Sequence, residues 1–343
     1  MMPWTQRLPV GCDFGHSAVK LVQLKRRGGT WSVVRAELRE LTPEARADDE
    51  WPNRQAMQVA SACGWAQREH MTVSVQGRPP LVRHLTVPPM PKRELKEALQ
   101  WEAKKASSLA VEDLVVDYVN GPEVTTDQGR MMPVTLVVAE RGVVESEFAR
   151  YRAAGLRITV MDVNPLAFYY AAHRLNRDET GPGCVAFVDI GASRMDINVA
   201  KHGSLRFSRS VALGGETLTE SLARALGIDP SQAEGVKREH GLSGKPKVVE
   251  ALAPEVDRLV VEIQRSVDYY RAQSHDGPLE ALWVGGGAAL TPGFVEYLAK
   301  FFDAKVGLFD PFEGMDCQGV QSEVQAAAPR FIAGVGLALA GLA

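Results

Sequence analysis

The sequence of 343 residues has no apolar run that approaches the roughly 20 residues of a membrane-spanning helix. Its first ten residues, MMPWTQRLPV, lack the apolar stretch of a signal peptide. The apolar segment from 331 to 343 is short and rich in alanine and glycine, which is typical of a packed helix. We therefore expect a cytoplasmic protein that does not insert into a membrane.

The chain also has no large excess of charge of one sign, because its 39 Lys and Arg residues nearly balance its 42 Asp and Glu residues. This balance provides no general attraction to phosphate backbones, so the leading hypotheses contain no nucleic-acid partner. The four cysteines are far apart and lack metal-ligand spacing, which indicates buried thiols in a reducing compartment. The length of the chain predicts two domains or two lobes.

One pattern occurs twice along the chain. Residues 8–38 read as three strands joined by turns, with Asp13-Phe14-Gly15 in the first turn, and residues 184–215 repeat this plan with Asp189-Ile190-Gly191. A single Asp-x-Gly is weak evidence because both residues are common in any turn. Two copies in matching contexts predict a duplicated fold whose lobes present carboxylates to each other across a cleft.

The chemistry of these turns fits a phosphate ligand. Glycine lets backbone N–H groups approach phosphate oxygens closely, and Asp13 and Asp189 would hold the water shell of a Mg²⁺ ion. Lys20 either adds a cation or is a solvated strand lysine. The turn residues predicted to bind are Gly15, His16, Ser17 and Lys20 in the first copy and Gly191, Ala192, Ser193 and Arg194 in the second.

Two further segments belong to the pattern. A short apolar strand runs into Gly285-Gly286-Gly287, where backbone can lie against a ring or a phosphate. Asp229 opens a helix with a capping-box spacing to Gln232, and that helix carries Glu234 and Lys237. These two charges are either an exposed ion pair or part of the site.

The segments GCDFGHSAVK, MDVNPLAFYYA, FVDIGASRMDINV, LGGETLTESLARALGI, AEGVK and WVGGGAALTPG resemble, in this order, the motifs of the actin-like ATPase superfamily. The resemblance implies an α/β actin-like ATPase fold, with two duplicated lobes around a nucleotide cleft, and ATP and Mg²⁺ as cofactors. It adds to the nucleotide-binding set Gly214, Gly215, Glu234, Lys237, Gly285, Gly286 and Gly287.

Residues 71–160 narrow the resemblance. Their alternating elements predict an α+β subdomain inserted into the first lobe: a helix at 91–106, strands at 114–119 and 133–139, a helix at 143–154 and a strand at 157–162. The stretch PPMPKRELKEALQWEA is similar to the signature of the type IV pilus assembly PilM family. The implied first lobe consists of residues 1–75 and 161–181, with the inserted subdomain at 76–160. The implied second lobe consists of residues 182–245 and 278–343, together with a helical part at 246–277.

The resemblance also implies how the chain meets a partner. On helix 91–106 the apolar residues form one stripe and Trp101 falls outside it, so Trp101 either packs on a neighbouring element or anchors a bound peptide. By resemblance, a groove near Trp101 and Glu102 receives the N-terminal peptide of a PilN-like inner-membrane protein. That contact would make the chain peripheral to the inner membrane; self-association is a further expectation.

The sequence indicates a catalytic residue less clearly than it indicates the nucleotide-binding residues. In the superfamily a water-orienting residue lies near the helix that connects the lobes, and the matching candidate is Asp162. Asn164 precedes Pro165 and is expected to cap that helix. The sequence therefore predicts nucleotide binding and leaves turnover open. The alternatives are a small-molecule kinase of the same fold, and an FtsA-like protein or a cytoplasmic component of type II secretion.

Overall fold

The computed structural model describes residues 8–42, 54–64, 69–75, 80–107, 110–127, 129–175, 183–274 and 276–342. The described strands are β1 Val10–Phe14, β2 Ala18–Arg27, β3 Thr30–Glu40, β4 Met71–Ser74, β5 Leu81–Val87, β6 Leu114–Asn120, β7 Val124–Thr126, β8 Gly129–Glu140, β9 Ile158–Asp162, β10 Cys184–Ile190, β11 Met195–Lys201, β12 Ser204–Val211, β13 Leu279–Gly285 and β14 Lys305–Leu308.

The described α-helices are α1 Arg54–Ala62, α2 Lys92–Ala106, α3 Arg141–Ala153, α4 Asn164–Arg174, α5 Gly215–Leu226, α6 Pro230–His240, α7 Pro246–Ser274, α8 Phe294–Ala299, α9 Ser322–Ala326 and α10 Ile332–Ala340. Within this part of the chain, none is both long and apolar enough to cross a bilayer.

Two five-stranded sheets have the same topology. The first has the order β3-β2-β1-β4-β9 and the second the order β12-β11-β10-β13-β14. In each, three antiparallel strands in sequence are followed by a fourth strand that pairs in parallel with the first of the three, and by a fifth that pairs in parallel with the fourth. Both Asp-x-Gly turns therefore lie at equivalent places, after β1 and after β10, as expected of a duplicated α/β fold.

The helices α4 and α10 join the two sheets. They pack against each other, α10 also packs on β1 and β2, and α4 packs on β10 and β11. The contact is close because it uses glycine: a Cβ atom at Gly336 would overlap the carbonyl of Ala167, and one at Gly11 would overlap that of Gly334. The aromatic rings of Phe168, Phe187 and Phe309 fill the core beside these helices.

A third sheet forms the predicted insertion, with β8 between β5 and β6 and with β7 paired to the start of β8. Leu95, Leu99 and Ala103 of α2 are buried against it, at the positions that the apolar stripe predicts. The strand predicted at 133–139 begins earlier, at Gly129, because its first residues pair with β7 in a hairpin. The domain boundaries proposed from the sequence stay a prediction.

Candidate functional site

The two Asp-x-Gly turns have the same backbone geometry. In the first, the N–H of Gly15 donates to the carbonyl of Ala18 at 3.1 Å; in the second, the N–H of Gly191 donates to the carbonyl of Arg194 at 2.9 Å. Both glycine N–H groups are thus used to close their turns. Ser17 and Ser193, the other predicted donors, also line the cavity described below.

Both turns face one cavity of about 460 Å³. Three separate segments reach it: the turn after β1, the turn after β10, and the glycines after β13. The sequence-predicted residues that line it are Asp13, Gly15, His16, Ser17, Lys20, Asp189, Gly191, Ala192, Ser193, Arg194, Gly215, Glu234, Lys237, Gly286 and Gly287. Asp162, Gly214, and Gly285 are not among the described residues that line it.

Electrostatics differ between the two turns. Lys20, opposite Asp13 in the β1–β2 pair, donates to its carboxylate at 2.8 Å, and its side chain is only 12% exposed, so it is not a solvated strand lysine. Opposite Asp189 lies Asp196. Burial, followed by the charges of Asp196 and Asp13, raises the pKa of Asp189 to about 7 although Lys20 and Arg194 oppose the shift.

Asp196 is also buried, and burial raises its pKa to about 6 against the opposing charge of Arg194. The hydroxyl of Ser210 donates to its carboxylate. Together with Asp13, these acids give the cavity a concentration of carboxylates that a bound cation would stabilise.

The glycines after β13 form the third wall. Gly286 has φ of 85°, and a Cβ atom there would overlap Oδ1 of Asp189, so only glycine fits. Gly285 is the last residue of β13, where it pairs with Asp189 of the neighbouring strand β10. Gly214 packs on the carbonyl of Ala192, again outside the cavity surface. These two predicted residues therefore support the site rather than face it.

Helix α6 contributes a buried ion pair. Its N-terminus has the predicted capping box of Asp229 and Gln232. Nζ of Lys237, 5% exposed as a residue, lies 2.6 Å from Glu234 and donates to the carbonyl of Gly215 at 2.9 Å. Burial alone would raise the pKa of Glu234, but the charge and hydrogen bond of Lys237 lower it to about 2. The interpretation as an exposed pair is therefore wrong.

The connecting helix differs from the expectation. Val163, not Asn164, is the N-cap residue of α4, and Asn164 is its first helical residue, with its side chain lining the cavity. Asp162 instead accepts a hydrogen bond from the N–H of Val163 at 2.7 Å, and burial raises its pKa to about 6. Asn164 therefore lines the cavity, whereas Asp162 is not among the described residues that line it, and its catalytic role stays a prediction.

Several cavity residues were not predicted from the sequence. They are Asn164, Asp196, Glu216, Arg238 and Arg330, among others. Glu216 lies 3.3 Å from His16 across the cleft. Asp196 could have been found, because strand alternation places it opposite Asp189 once the hairpin register is known; Arg238 and Arg330 come from distant segments and carried no such signal.

The predicted partner residues lie on the inserted subdomain, outside the cavity lining. Trp101 is 61% exposed, and Nζ of Lys105 lies 5.0 Å from its ring centroid. Glu102 lies 4.0 Å from Arg83. The exposure of Trp101 removes the alternative in which it is packed against a neighbouring element.

Fold and cavity define a protein with the actin-like ATPase fold. MreB 5 of Spiroplasma citri, solved bound to AMPPNP, superposes with a TM-score of 0.51 at 13% identity, over 98% of this chain and 96% of that one, which shows the fold alone. Cell division protein FtsA of Bacillus subtilis (strain 168) is 32% identical over 152 residues. That match covers 41% of this chain and 34% of FtsA, so the chain spans about a third of that relative.

A structure of the PilM-PilN type IV pilus biogenesis complex is more similar, with a TM-score of 0.78 and 25% identity over 98% of each chain. The family model described as Type IV pilus assembly protein PilM matches residues 11–342, and the chain therefore belongs to this family. Both the fold and the family that the sequence resembles are confirmed.

Proposed function

We propose that this member of the PilM family binds ATP with Mg²⁺ in the cavity between the two lobes. The observation that carries the proposal is the convergence of the two equivalent turns and the Gly286–Gly287 segment on one cavity, with carboxylates and the cations Lys20 and Arg194 on its surface. Anion-binding turns, cations and a narrow glycine wall are what a nucleoside triphosphate requires.

The residues present fit a hydrated metal better than a directly liganded one. Among the described residues, no three His, Cys, Asp or Glu side chains lie close enough together to form a metal site. Asp13 and Asp189 would hold Mg²⁺ through water, and the ion, when bound, supplies charge that offsets the phosphates. Lys237 and Glu234 would position the Gly215 backbone beside the nucleotide.

We further infer that the chain is a scaffold of pilus assembly, recruited to the inner membrane by the N-terminal peptide of a PilN-like protein. The support is the similarity to a structure that contains PilN and the exposed Trp101 on the inserted subdomain. Tryptophan is among the residue types enriched at binding hot spots. The chain would then be peripheral to the membrane through its partner.

Calorimetry tests nucleotide binding. Asp13→Ala and Asp189→Ala should each weaken Mg²⁺–ATP binding by about tenfold or more, since each removes a charged contact of the metal shell. Asp268→Ala is the matched control, because Asp268 is exposed on α7, away from the cavity lining. Wild-type affinity in both cleft variants would refute the proposal.

The alternative, a small-molecule kinase, predicts phosphoryl transfer from ATP to a substrate. The proposed scaffold predicts none when the chain is incubated with ATP and a panel of sugars and small acids. Substrate-dependent transfer at enzyme-like rates would favour the kinase instead.

A further inference from the structure

The outer hairpin of the first lobe carries three cations beside its turn. Gly28-Gly29 joins β2 to β3, and the three residues before this turn are Lys25, Arg26 and Arg27. We call residues 25–29 the basic tip. All three cationic residues are exposed, and no carboxylate of the described residues forms an ion pair with them. The basic tip therefore presents local positive charge to the solvent.

The equivalent hairpin of the second lobe, between β11 and β12, is shorter and neutralised. β2 has 10 residues and β3 has 11, whereas β11 has 7 and β12 has 8, so the first hairpin protrudes further. Near the second turn, Lys201 forms an ion pair with Asp276, and the hydroxyl of Tyr169 donates to the carbonyl of Gly203 at 2.6 Å. The duplicated fold therefore does not require an exposed, positively charged tip, which is a feature of the first copy.

The same end of the first sheet carries a further cation. The register of the parallel strands places the starts of β1, β4 and β9 at the end where the basic tip protrudes. Arg157, which is exposed, directly precedes β9. Two acids also lie here: Glu69, half-buried before β4, and Asp316, which pairs with Ser32 on the outer side of β3. Positive charge therefore exceeds negative charge among these residues.

The cations of the basic tip lie on both faces of the hairpin. Residues directly opposite each other in antiparallel strands share a face, so Arg26 lies on the face of Trp31, 5.4 Å from its ring centroid. Lys25 and Arg27 lie on the other face. A folded partner would meet one face, whereas the diffuse potential of an anionic lipid surface attracts cations on both. Tryptophan is also favoured at membrane–water interfaces.

The basic tip points away from the nucleotide cavity. β2 begins at Ala18, next to the Asp13-Phe14-Gly15 turn, and ends at Arg27 at the opposite end of the sheet. The chain as a whole has a net charge of -3, and carboxylates such as Asp189 line the cavity. An anionic surface would therefore attract the end with the basic tip more strongly than the rest of the chain, and would orient it.

We propose that the basic tip contacts the anionic phospholipid headgroups of the membrane to which the chain is recruited. This contact goes beyond the proposed recruitment by a PilN-like peptide, because lipid makes it and neither peptide nor nucleotide is needed. Only its place in the cell rests on that recruitment. A few cations give weak and reversible attachment, so the peptide and the lipid contact would act together.

Sedimentation of the full chain with lipid vesicles tests the contact. At low ionic strength the chain should bind vesicles of phosphatidylethanolamine and phosphatidylglycerol about tenfold or more tightly than vesicles of phosphatidylcholine. Lys25→Gln/Arg26→Gln/Arg27→Gln should reduce this preference to about twofold or less, because each cation near such a surface contributes about fivefold. Equal binding of this variant and the wild type to the anionic vesicles would overturn the proposal. A tip that serves an acidic protein instead would give that result.

A matched variant separates the basic tip from net charge. Arg224→Gln/Lys245→Gln/Lys247→Gln removes the same charge from exposed residues of the second lobe. Its preference for anionic vesicles should stay within about threefold of the wild type, because these residues do not belong to the surface that meets the lipid. An equal loss in the two triple variants would mean that net charge determines binding, and would also overturn the proposal.

A charge-preserving variant distinguishes lipid from directed recognition. Arg26→Lys/Arg27→Lys should bind anionic vesicles within about twofold of the wild type, because a lipid surface responds to charge and does not require the planar guanidinium group. A loss as large as that of the glutamine variant would indicate directed guanidinium contacts and would contradict the lipid contact. Thermal midpoints should stay close to that of the wild type, because the substituted residues are exposed.

Hydrogen–deuterium exchange of the wild type provides a second measurement that needs no variant. Anionic vesicles should slow exchange in residues 24–31 about twofold or more, and phosphatidylcholine vesicles should not. Protection confined to other segments would overturn the proposal. None of these measurements includes peptide or nucleotide, so their failure refutes the lipid contact and leaves the proposed function as it stands.

Discussion

Nζ of Lys20 lies 2.8 Å from Oδ2 of Asp13, its neighbour across the first hairpin. The equivalent position across the second hairpin holds Asp196, so Asp189 faces a second acid. The two turns thus share a backbone and differ in charge. The first turn carries its own counter-charge, whereas the second holds two buried acids that a cation bound in the cavity would stabilise.

This asymmetry predicts a dependence of stability on pH. The pKa of Asp189 is raised from 3.8 to about 7 in the folded chain. The contribution of this carboxyl group to the free energy of unfolding is therefore fully present at low pH and is lost as the pH rises toward 7. Asp189→Asn should therefore gain about 2–3 kcal/mol of unfolding free energy relative to the wild type between pH 5 and pH 8. Urea unfolding without nucleotide at both pH values measures this difference.

The exposed Asp268→Asn variant serves as the control for that measurement, and its difference from the wild type should be the same at pH 5 and pH 8. A pH-independent difference for Asp189→Asn would show that its carboxyl is ordinary. Saturating Mg²⁺–ATP should reduce the gain of Asp189→Asn, because the bound ion stabilises the ionised wild-type carboxylate.

The buried pair on α6 predicts a stability loss. Lys237→Met should lower the unfolding free energy by about 2–4 kcal/mol, because it removes the buried cation that pairs with Glu234 and one of the donors to the carbonyl of Gly215. The double variant Glu234→Gln/Lys237→Met should recover part of this loss. Lys247→Met, on the exposed start of α7, is the control; an equal effect of both methionine variants would contradict the role of the pair.

The exposed aromatic on α2 predicts a loss of binding without a loss of stability. Trp101→Ala should weaken capture of a PilN-like N-terminal peptide by about tenfold or more, since hot-spot aromatics carry much of an interface. Its thermal midpoint should stay close to that of the wild type, because the ring is 61% exposed. Tyr269→Ala, an exposed aromatic on α7, should leave peptide binding unchanged. Equal losses in both variants would argue against a local groove.

The connecting helix predicts different effects for two neighbouring polar residues. Asn164→Ala should weaken Mg²⁺–ATP binding about three- to tenfold, because Asn164 lines the cavity and its Oδ1 has no hydrogen-bond partner among the described residues. Asp162→Asn should leave affinity within about twofold, since its carboxylate is held by the Val163 N–H. A loss of turnover in Asp162→Asn at unchanged affinity would support the catalytic role predicted for Asp162.

Several features of this chain could be predicted from the sequence because each depends on residues that are close together in the chain. Strand alternation and turn glycines define the hairpins around Asp13 and Asp189, and the apolar stripe of α2 defines which residues are buried. The capping box of Asp229 and Gln232 also depends on neighbours within one turn. Motif order then identified the fold and the family, which the comparisons confirm.

Other features needed contacts between distant segments. The burial of Lys237 depends on Gly215 and Thr219, and the cavity position of Asn164 depends on where the helix cap falls.

By itself, therefore, the sequence determined the repeated turns, the fold and the family, because each of these can be recognised from short-range patterns and from the order of the motifs. Only the tertiary structure decided which polar groups face the cavity and which are buried against distant segments. The physical reason is that desolvation and hydrogen-bond satisfaction depend on the surroundings of a side chain in space, which its neighbours in sequence do not specify.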